Sequence, residues 1–305
     1  MNAPRRPPRR PVDGVLLFDK PLGQSSNHAL QTVRRLFNAE KAGHTGTLDP
    51  LATGLLPLCF GEATKFSSEL LEADKRYVAT VQLGATTDTA DAEGVILLKR
   101  PVRVTQADVA KALLGFLGEI DQIPPMHSAL KRDGKPLYEY ARAGIELERA
   151  PRRILIHTLC LQEFSGDRFV FEVYCSKGTY VRTLAADIGE VLGCGAHLAA
   201  LRRTGIGRLR VADAHTLEAL GTASSDARDR LLQAPDALLS DLSAVELFAA
   251  DAQRLRHGQP VRWNGVEGDR HRVYDETKAF IGVCRQLADG WLQPQRLVAS
   301  SKVTT

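Results

Sequence analysis

The segment from Gly43 to Leu56, "GHTGTLDPLATGLL", sets one carboxylate, Asp49, among small and turn-forming residues, with His44 five positions before it. An aspartate can act as nucleophile, general base or metal ligand. Ligation needs further donors, and His44 is the only one nearby, one residue beyond helical i, i+4 spacing. Phosphoryl or hydride chemistry wants a glycine-rich cradle, and the chain has no GxxxxGK[ST] or GxGxxG motif. Glycosidic hydrolysis usually takes two carboxylates, and no second one adjoins Asp49. Residue type alone favours Asp49 as the cap of the turn before Pro50 over a catalytic part.

Two other clusters carry chemistry-bearing types. Tyr77 follows Lys75 and Arg76. Its ring could pack in a core with a satisfied hydroxyl, or stack on a nucleobase while the basic neighbours meet phosphates. In "CSKGTYVRTLAADIG" (175–189), Gly178 permits a tight turn, and Tyr180 and Arg182 lie two apart, so on extended chain they share a face. Arg182 could pair with a carboxylate and keep it ionised, or sit on the surface of a loop-to-helix junction.

These residues need positioning elements. "VDGVLLFDKPLG" (12–23) reads as a strand running into a turn, and "SSNHALQTVRRLF" (25–37) as a capped helix with Ala29, Leu30, Val33 and Phe37 on one face. The Asp49 segment reads as an irregular loop, "TKFSSELLEA" as a helix and "KRYVATVQLG" as an alternating strand. In "TTDTADAEGVIL" a calcium loop is excluded, because Gly94 falls at the seventh position from Asp88 rather than the sixth and no glutamate closes the loop. "TQADVAKALLGFLGEI" (105–120) reads as a capped helix, and 123–144 as an exposed basic excursion. Residues 152–193 read as strand, turn, strand, turn, helix. From about 246 short alternating segments predict a small β-barrel. Hairpin-like pairs predict an α+β fold with a mixed, mainly antiparallel sheet flanked by helices.

Composition sets bounds. The chain of 305 residues is 44% hydrophobic and 25% charged with a net charge of +4, and its pI is about 8.8. That balance is compatible with a polyanionic partner and does not identify one. The "PRRPPRR" run at 4–10 cannot bury apolar surface, so residues 1–11 are expected to be a disordered basic tail or phosphate tether. No apolar stretch follows it as a secretory signal would, and no run is long enough to span a membrane. Five scattered cysteines form no CxxC pair, as expected for reduced thiols in a cytoplasmic protein without a zinc site.

Taken together, "GVLLFDKPLGQSSN", "GHTGTLDPLATGLLPLCFGEATK", "DKRYVATVQLGATTDTADAEG", "IPPMHSALKRDGKPLYEYARAG", "SKGTYVRTLAADIG" and "LRRTGIG" closely resemble the bacterial tRNA pseudouridine-55 synthase family, in order from about residue 12 to 212. "LRHGQPV" in the C-terminal module is similar to the PUA-type RNA-binding barrel of that family. The resemblance implies a pseudouridine synthase domain over 12–245, with a thumb loop over about 124–150 that closes on RNA, and a PUA-like domain over 246–305. It implies isomerisation of one T-loop uridine of tRNA, flipped out of its stack, with neither cofactor nor metal. By the same resemblance Asp49 is the catalytic carboxylate, Arg182 pairs with it and Asp91 holds Arg182. Tyr77 stacks on the base, Tyr180 packs beside it, Leu201 lines the pocket and His44 fills the gap left in the RNA. Lys131, Arg132 and Lys135 of the thumb, and Lys65, would contact phosphates. Lys20 fits the first motif in a mainly structural part. A monomer is the default expectation. A nucleoside hydrolase using an aspartate, and a non-catalytic protein that binds or folds tRNA, are the competing readings.

Overall fold

A computed structural model describes residues 8–263, 265 and 269–299. Strand β1 (Gly14–Lys20) is the apolar run "GVLLFDK", buried almost throughout. Helix α1 (Ser26–Leu36) starts where Ser25 Oγ accepts a hydrogen bond from the His28 amide, and it buries Ala29, Leu30 and Val33 as their spacing predicts. Strands β2 (Ala42–His44), β3 (Ala52–Phe60) and β4 (Lys75–Leu83) follow. In β4 the odd-numbered residues are buried and the even-numbered ones half-buried, which is the alternation visible in the sequence.

These strands belong to one ten-stranded sheet. Its order is His215–Thr216, β1, β3, Ala196–Ile206, β4, Arg168–Cys175, Arg152–Phe164 and Gly118–Gln122, with two short strands appended. The β1 pairing with His215–Thr216 and the β3 pairing with Ala196–Ile206 are parallel, and the other pairings are antiparallel. The fold is therefore α+β with a mixed, mainly antiparallel sheet. Helices Ser26–Leu36, Gln106–Leu114 and Val181–Val191 supply Val33, Val109 and Leu184 to a core that includes Phe18, Phe60 and Phe171 of the sheet. No helix among the described residues is long and apolar enough to cross a membrane.

A second sheet of five strands begins at Ser243, slightly before the position read from sequence, and carries its own core of Val245, Leu255, Val273, Ile281 and Leu292. It is joined to the first unit by a double hydrogen-bonded ion pair, Arg270 to Glu69 at 2.8 and 2.9 Å, and by Phe66 meeting Phe280 edge-on at 5.5 Å. Lys65 works in this joint: its Nζ donates to Glu62 at 2.7 Å and to the Leu297 carbonyl at 2.9 Å.

Four local readings change. The Asp49 segment, read as an irregular loop from Gly43 to Leu56, is irregular only between β2, which ends at His44, and β3, which starts at Ala52. "TKFSSELLEA" forms two short 3-10 turns, Gly61–Phe66 and Glu69–Leu71, because the Thr64 and Ser67 hydroxyls bond back to the Gly61 and Thr64 carbonyls while Phe66 is drawn into the joint. The helix read over 105–120 stops at Leu114. Gly115 ends it, and Gly118 at φ +85° opens the strand Gly118–Gln122. Arg10, placed in the expected tail, is fixed: its guanidinium bonds Asp229 at 2.5 and 2.6 Å and the Phe37 carbonyl at 3.0 Å. Residues 1–7 of that tail lie outside the described residues.

Gly54 of β3 is the tightest point of the sheet beside the Asp49 turn. It adopts φ +100°, and a Cβ there would lie 2.3 Å from the Arg203 carbonyl oxygen of the neighbouring strand. Gly54→Ala is expected to destabilise the protein by about 1–3 kcal/mol or more, read as a lower urea midpoint at unchanged m-value.

Candidate active site

Asp49 sits in the turn between β2 and β3, and main-chain bonds set its place. Ser26 Oγ accepts from the Leu48 amide at 2.8 Å and donates to the Leu48 carbonyl at 2.9 Å, clamping the preceding residue to the start of α1. The Asp49 carbonyl accepts from the Ala52 amide at 3.0 Å, and the Pro50 carbonyl from Gly23 at 2.9 Å. This turn places the Asp49 side chain at the floor of a cleft of about 620 Å³. His44, Tyr77, Asp91, Tyr180, Arg182 and Leu201 line the same cleft. All seven residues singled out in the sequence for the reacting site thus meet in one place.

Arg182 lies on the first turn of the helix Val181–Val191 and is buried. Its Nε is 3.1 Å from Asp49 Oδ2 and its Nη1 is 3.3 Å from Asp91 Oδ2. Nη1 also donates to the Thr89 carbonyl at 3.3 Å, and Nη2 to the His127 carbonyl at 2.8 Å. Asp91 is fully enclosed. Its Oδ1 accepts from Thr89 Oγ1 at 2.6 Å and from the Glu93 amide at 3.1 Å. The guanidinium therefore lies between two carboxylates, one locked in protein and one facing the cleft with 41% of its side-chain surface open.

Burial pushes the Asp49 carboxyl above its ordinary range. Arg182 pulls it back down, Asp91 adds to the rise, and Lys20 opposes it. Lys20 is buried, with Nζ donating to the Pro21 and Gln24 carbonyls, and burial pushes its ammonium down to about 8. Burial, and then the Arg203 charge, lower His44, which favours its neutral form. The phenols of Tyr77 and Tyr180 are both raised by burial. The site thus holds a carboxylate facing an apolar wall of Leu201, Ala52 and the Tyr77 ring.

Lys131 and Arg132 pair with Pro136 and Lys135 in an exposed hairpin outside the cleft lining, and Arg132 is tied to the Glu148 carbonyl at 3.0 Å. The segment after it comes back to the cleft, where Tyr138 and Arg142 join the lining. Lys65 is in the joint between the two units, its charge already engaged by Glu62.

Sequence reasoning missed Gln122, Ser26 and Arg203. Gln122 is buried, accepts from the Tyr180 amide at 2.8 Å and donates to the Tyr180 carbonyl at 3.1 Å, which fixes the start of the Arg182 helix. Arg203 is 1% exposed. Spacing offered one signal for it: Arg203 lies two after Leu201, hence on the same face of an extended strand, while Arg202 points the other way to Asp19 at 2.7 and 3.0 Å.

Solved structures share this architecture. The structure of an H/ACA RNP bound to a substrate RNA containing 2′-deoxyuridine superposes with a TM-score of 0.70 over 95% of this chain and 86% of that one at 22% identity, a likeness of fold. A Cbf5-Nop10-Gar1 complex gives 0.69 over 94% and 84% at 25% identity. The fold is that of the pseudouridine synthases. Residues 34–181 match the N-terminal domain of the TruB family pseudouridylate synthases, 182–245 the tRNA pseudouridylate synthase B C-terminal domain, and 243–298 the pseudouridine synthase II TruB C-terminal module. The chain is 58% identical over 299 residues to the tRNA pseudouridine synthase B of Burkholderia mallei (strain NCTC 10247), covering 96% of this chain and 99% of that protein. It is 55% identical to that of Ralstonia pickettii (strain 12J), covering 97% of each. The chain belongs to the TruB family of pseudouridylate synthases, which are isomerases.

Replacing Arg182 by methionine removes the positive charge that holds the Asp49 carboxyl down, so its pKa rises further. If ionised Asp49 is the active form, the acid limb of the single-turnover rate–pH profile is expected to move to higher pH, with a lower plateau. An unmoved limb would separate Asp49 ionisation from the reaction.

Proposed function

We propose that this chain isomerises the uridine at position 55 in the T-loop of tRNA to pseudouridine, with Asp49 as the catalytic carboxylate. The observation that carries this reading is the Arg182 guanidinium 3.1 Å from a cleft-facing Asp49, with Tyr77 and Leu201 lining the same space. In the isomerisation the N1–C1′ bond breaks, the base turns within its pocket, a C5–C1′ bond forms, C5 loses its proton and N1 gains one. Nothing is exchanged but protons, so the protein must hold the detached base and present one carboxylate to the bond that breaks. A base inside a stacked loop cannot reach Asp49, so the nucleotide is flipped into the cleft. Tyr77 and Leu201 then offer it an apolar bed, Tyr180 packs beside it, and His44, neutral and at the rim, takes the vacated place in the RNA. Asp91 holds Arg182 from behind.

Phosphate contacts fall to the exposed hairpin. Lys131, Arg132 and Lys135 position the RNA without reading its sequence, and the segment over about 124–150 closes on it. The five-stranded C-terminal unit adds a PUA-like RNA surface. Lys65 serves that unit's attachment and, on its geometry, is a weaker phosphate ligand than the hairpin residues. The protein works as a cytoplasmic monomer on the T stem-loop.

The test is a T stem-loop RNA carrying tritium at C5 of the uridine at position 55. Tritium is expected to be released from that position alone. Asp49→Asn should abolish release while RNA affinity stays within a few-fold. Free uracil in the products, or near wild-type turnover by the variant, would overturn the reading. A separate measurement concerns the hairpin. Replacing Lys131, Arg132 and Lys135 together by glutamine is expected to flatten the slope of log Kd against log salt by about 2 to 3, one released counterion per lost contact. An unchanged slope would remove these side chains from the RNA interface.

A further inference from the structure

Arg203 is the largest fully buried side chain among the described residues. It is a cation without an anion. Its Nε donates to the Leu55 carbonyl at 2.8 Å, Nη2 to the Gly46 carbonyl at 3.0 Å, and Nη1 lies 3.5 Å from the Thr47 carbonyl. None of the ion pairs among the described residues includes it, and the residue directly across from it on β4 is Tyr77, whose phenol feels its charge. A buried guanidinium is costly unless its donors are satisfied and its charge is used. Here the donors go to both ends of the Asp49 turn, Gly46 before the aspartate and Leu55 after it.

The backbone explains the reach. Arg203 lies on the strand Ala196–Ile206, between β3 and β4. It is opposite Gly54 on one side and opposite Tyr77 on the other. The strain accepted at Gly54, whose positive φ lets β3 pass against the Arg203 main chain, keeps this side chain beneath the turn. A surface arginine would do none of this, and a lysine could reach only part of it, because a single ammonium cannot span carbonyls on two sides of a turn as the forked guanidinium does.

We propose that Arg203 is a positioning residue that ties the two ends of the Asp49 turn together and places its charge beside Tyr77. The proposal rests on the reading of Asp49 and Tyr77 as the residues that meet the base. Arg203 touches no substrate, being sealed beneath both. Four titratable groups feel its charge. It lowers Tyr77, His44, Lys20 and Lys75, and so favours neutral His44 and weakens the two buried ammonium groups. Tyr77 also faces Cys175 and Asp49, which raise it, as burial does most strongly. The Arg203 charge opposes them.

The experiment is a pH titration of full-length protein labelled with 13Cζ-tyrosine, with the Tyr77 resonance assigned by Tyr77→Phe. Wild type is compared with Arg203→Met and Arg203→Lys. Removing the guanidinium is expected to move the Tyr77 titration to higher pH, and lysine to restore part of the shift. Single-turnover pseudouridine formation should fall on the order of a hundredfold in Arg203→Met, from misplacement of the turn, with RNA affinity within a few-fold of wild type. A Tyr77 titration that ignores both Arg203 substitutions overturns the proposal, as does activity lost only in proportion to unfolded protein. If the methionine variant does not fold, Arg203→Lys decides on the same two readouts. Full turnover by Asp49→Asn and Tyr77→Phe would instead defeat the site reading, an outcome the tyrosine titration does not share.

Discussion

One buried guanidinium organises this molecule. Arg182 lies between Asp91, which is sealed in the protein, and Asp49, which faces the cleft. The pair with Asp91 is buried, and losing Asp91 would cost about 3–5 kcal/mol because a charge would be left stranded. The same arithmetic gives the site its use. Cleft walls that exclude water would neutralise a lone aspartate. The guanidinium offsets part of that push at the carboxylate proposed to meet the base.

The rest of the fold keeps that arrangement from drifting. The residues around Asp49 are held by polar groups packed against them. Ser26 fixes Leu48 beside Asp49, Gln122 fixes the main chain of Tyr180 ahead of Arg182, and Thr89 fixes Asp91. Arg203 spans the turn from below. These bonds are made before any substrate binds, which is how a protein lowers a barrier without reorganising its dipoles during the reaction. Arg182 also donates to the His127 carbonyl, so the base of the 124–150 segment is bonded to the residue that holds the carboxylate.

Local patterns were legible in the sequence. The alternation of β4, the Ser25 cap and the Thr105 cap all read correctly, because each depends on neighbours within one element. Elements governed by distant contacts did not. The 61–71 segment has helical composition, yet its Lys65 and Phe66 are claimed by the C-terminal unit, and only the folded joint shows why they are there. For the site, motif order named Asp49, Tyr77, Asp91 and Arg182, but their convergence depends on a sheet order in which β4 sits between Arg168–Cys175 and Ala196–Ile206, both far along the chain. Arg203 was hidden next to Arg202: residue type cannot say which of two adjacent arginines is buried, and the answer comes from which face of the strand Leu201 occupies.

The most direct test of the account is a 13Cγ-aspartate titration of the free protein, with the Asp49 resonance assigned by Asp49→Asn. The account predicts a midpoint above that of a free aspartate, because the cleft excludes water, and a further upward move when Arg182 is replaced by methionine. A midpoint that stays in place when Arg182 is lost would contradict the claim that this guanidinium is what keeps the carboxylate charged.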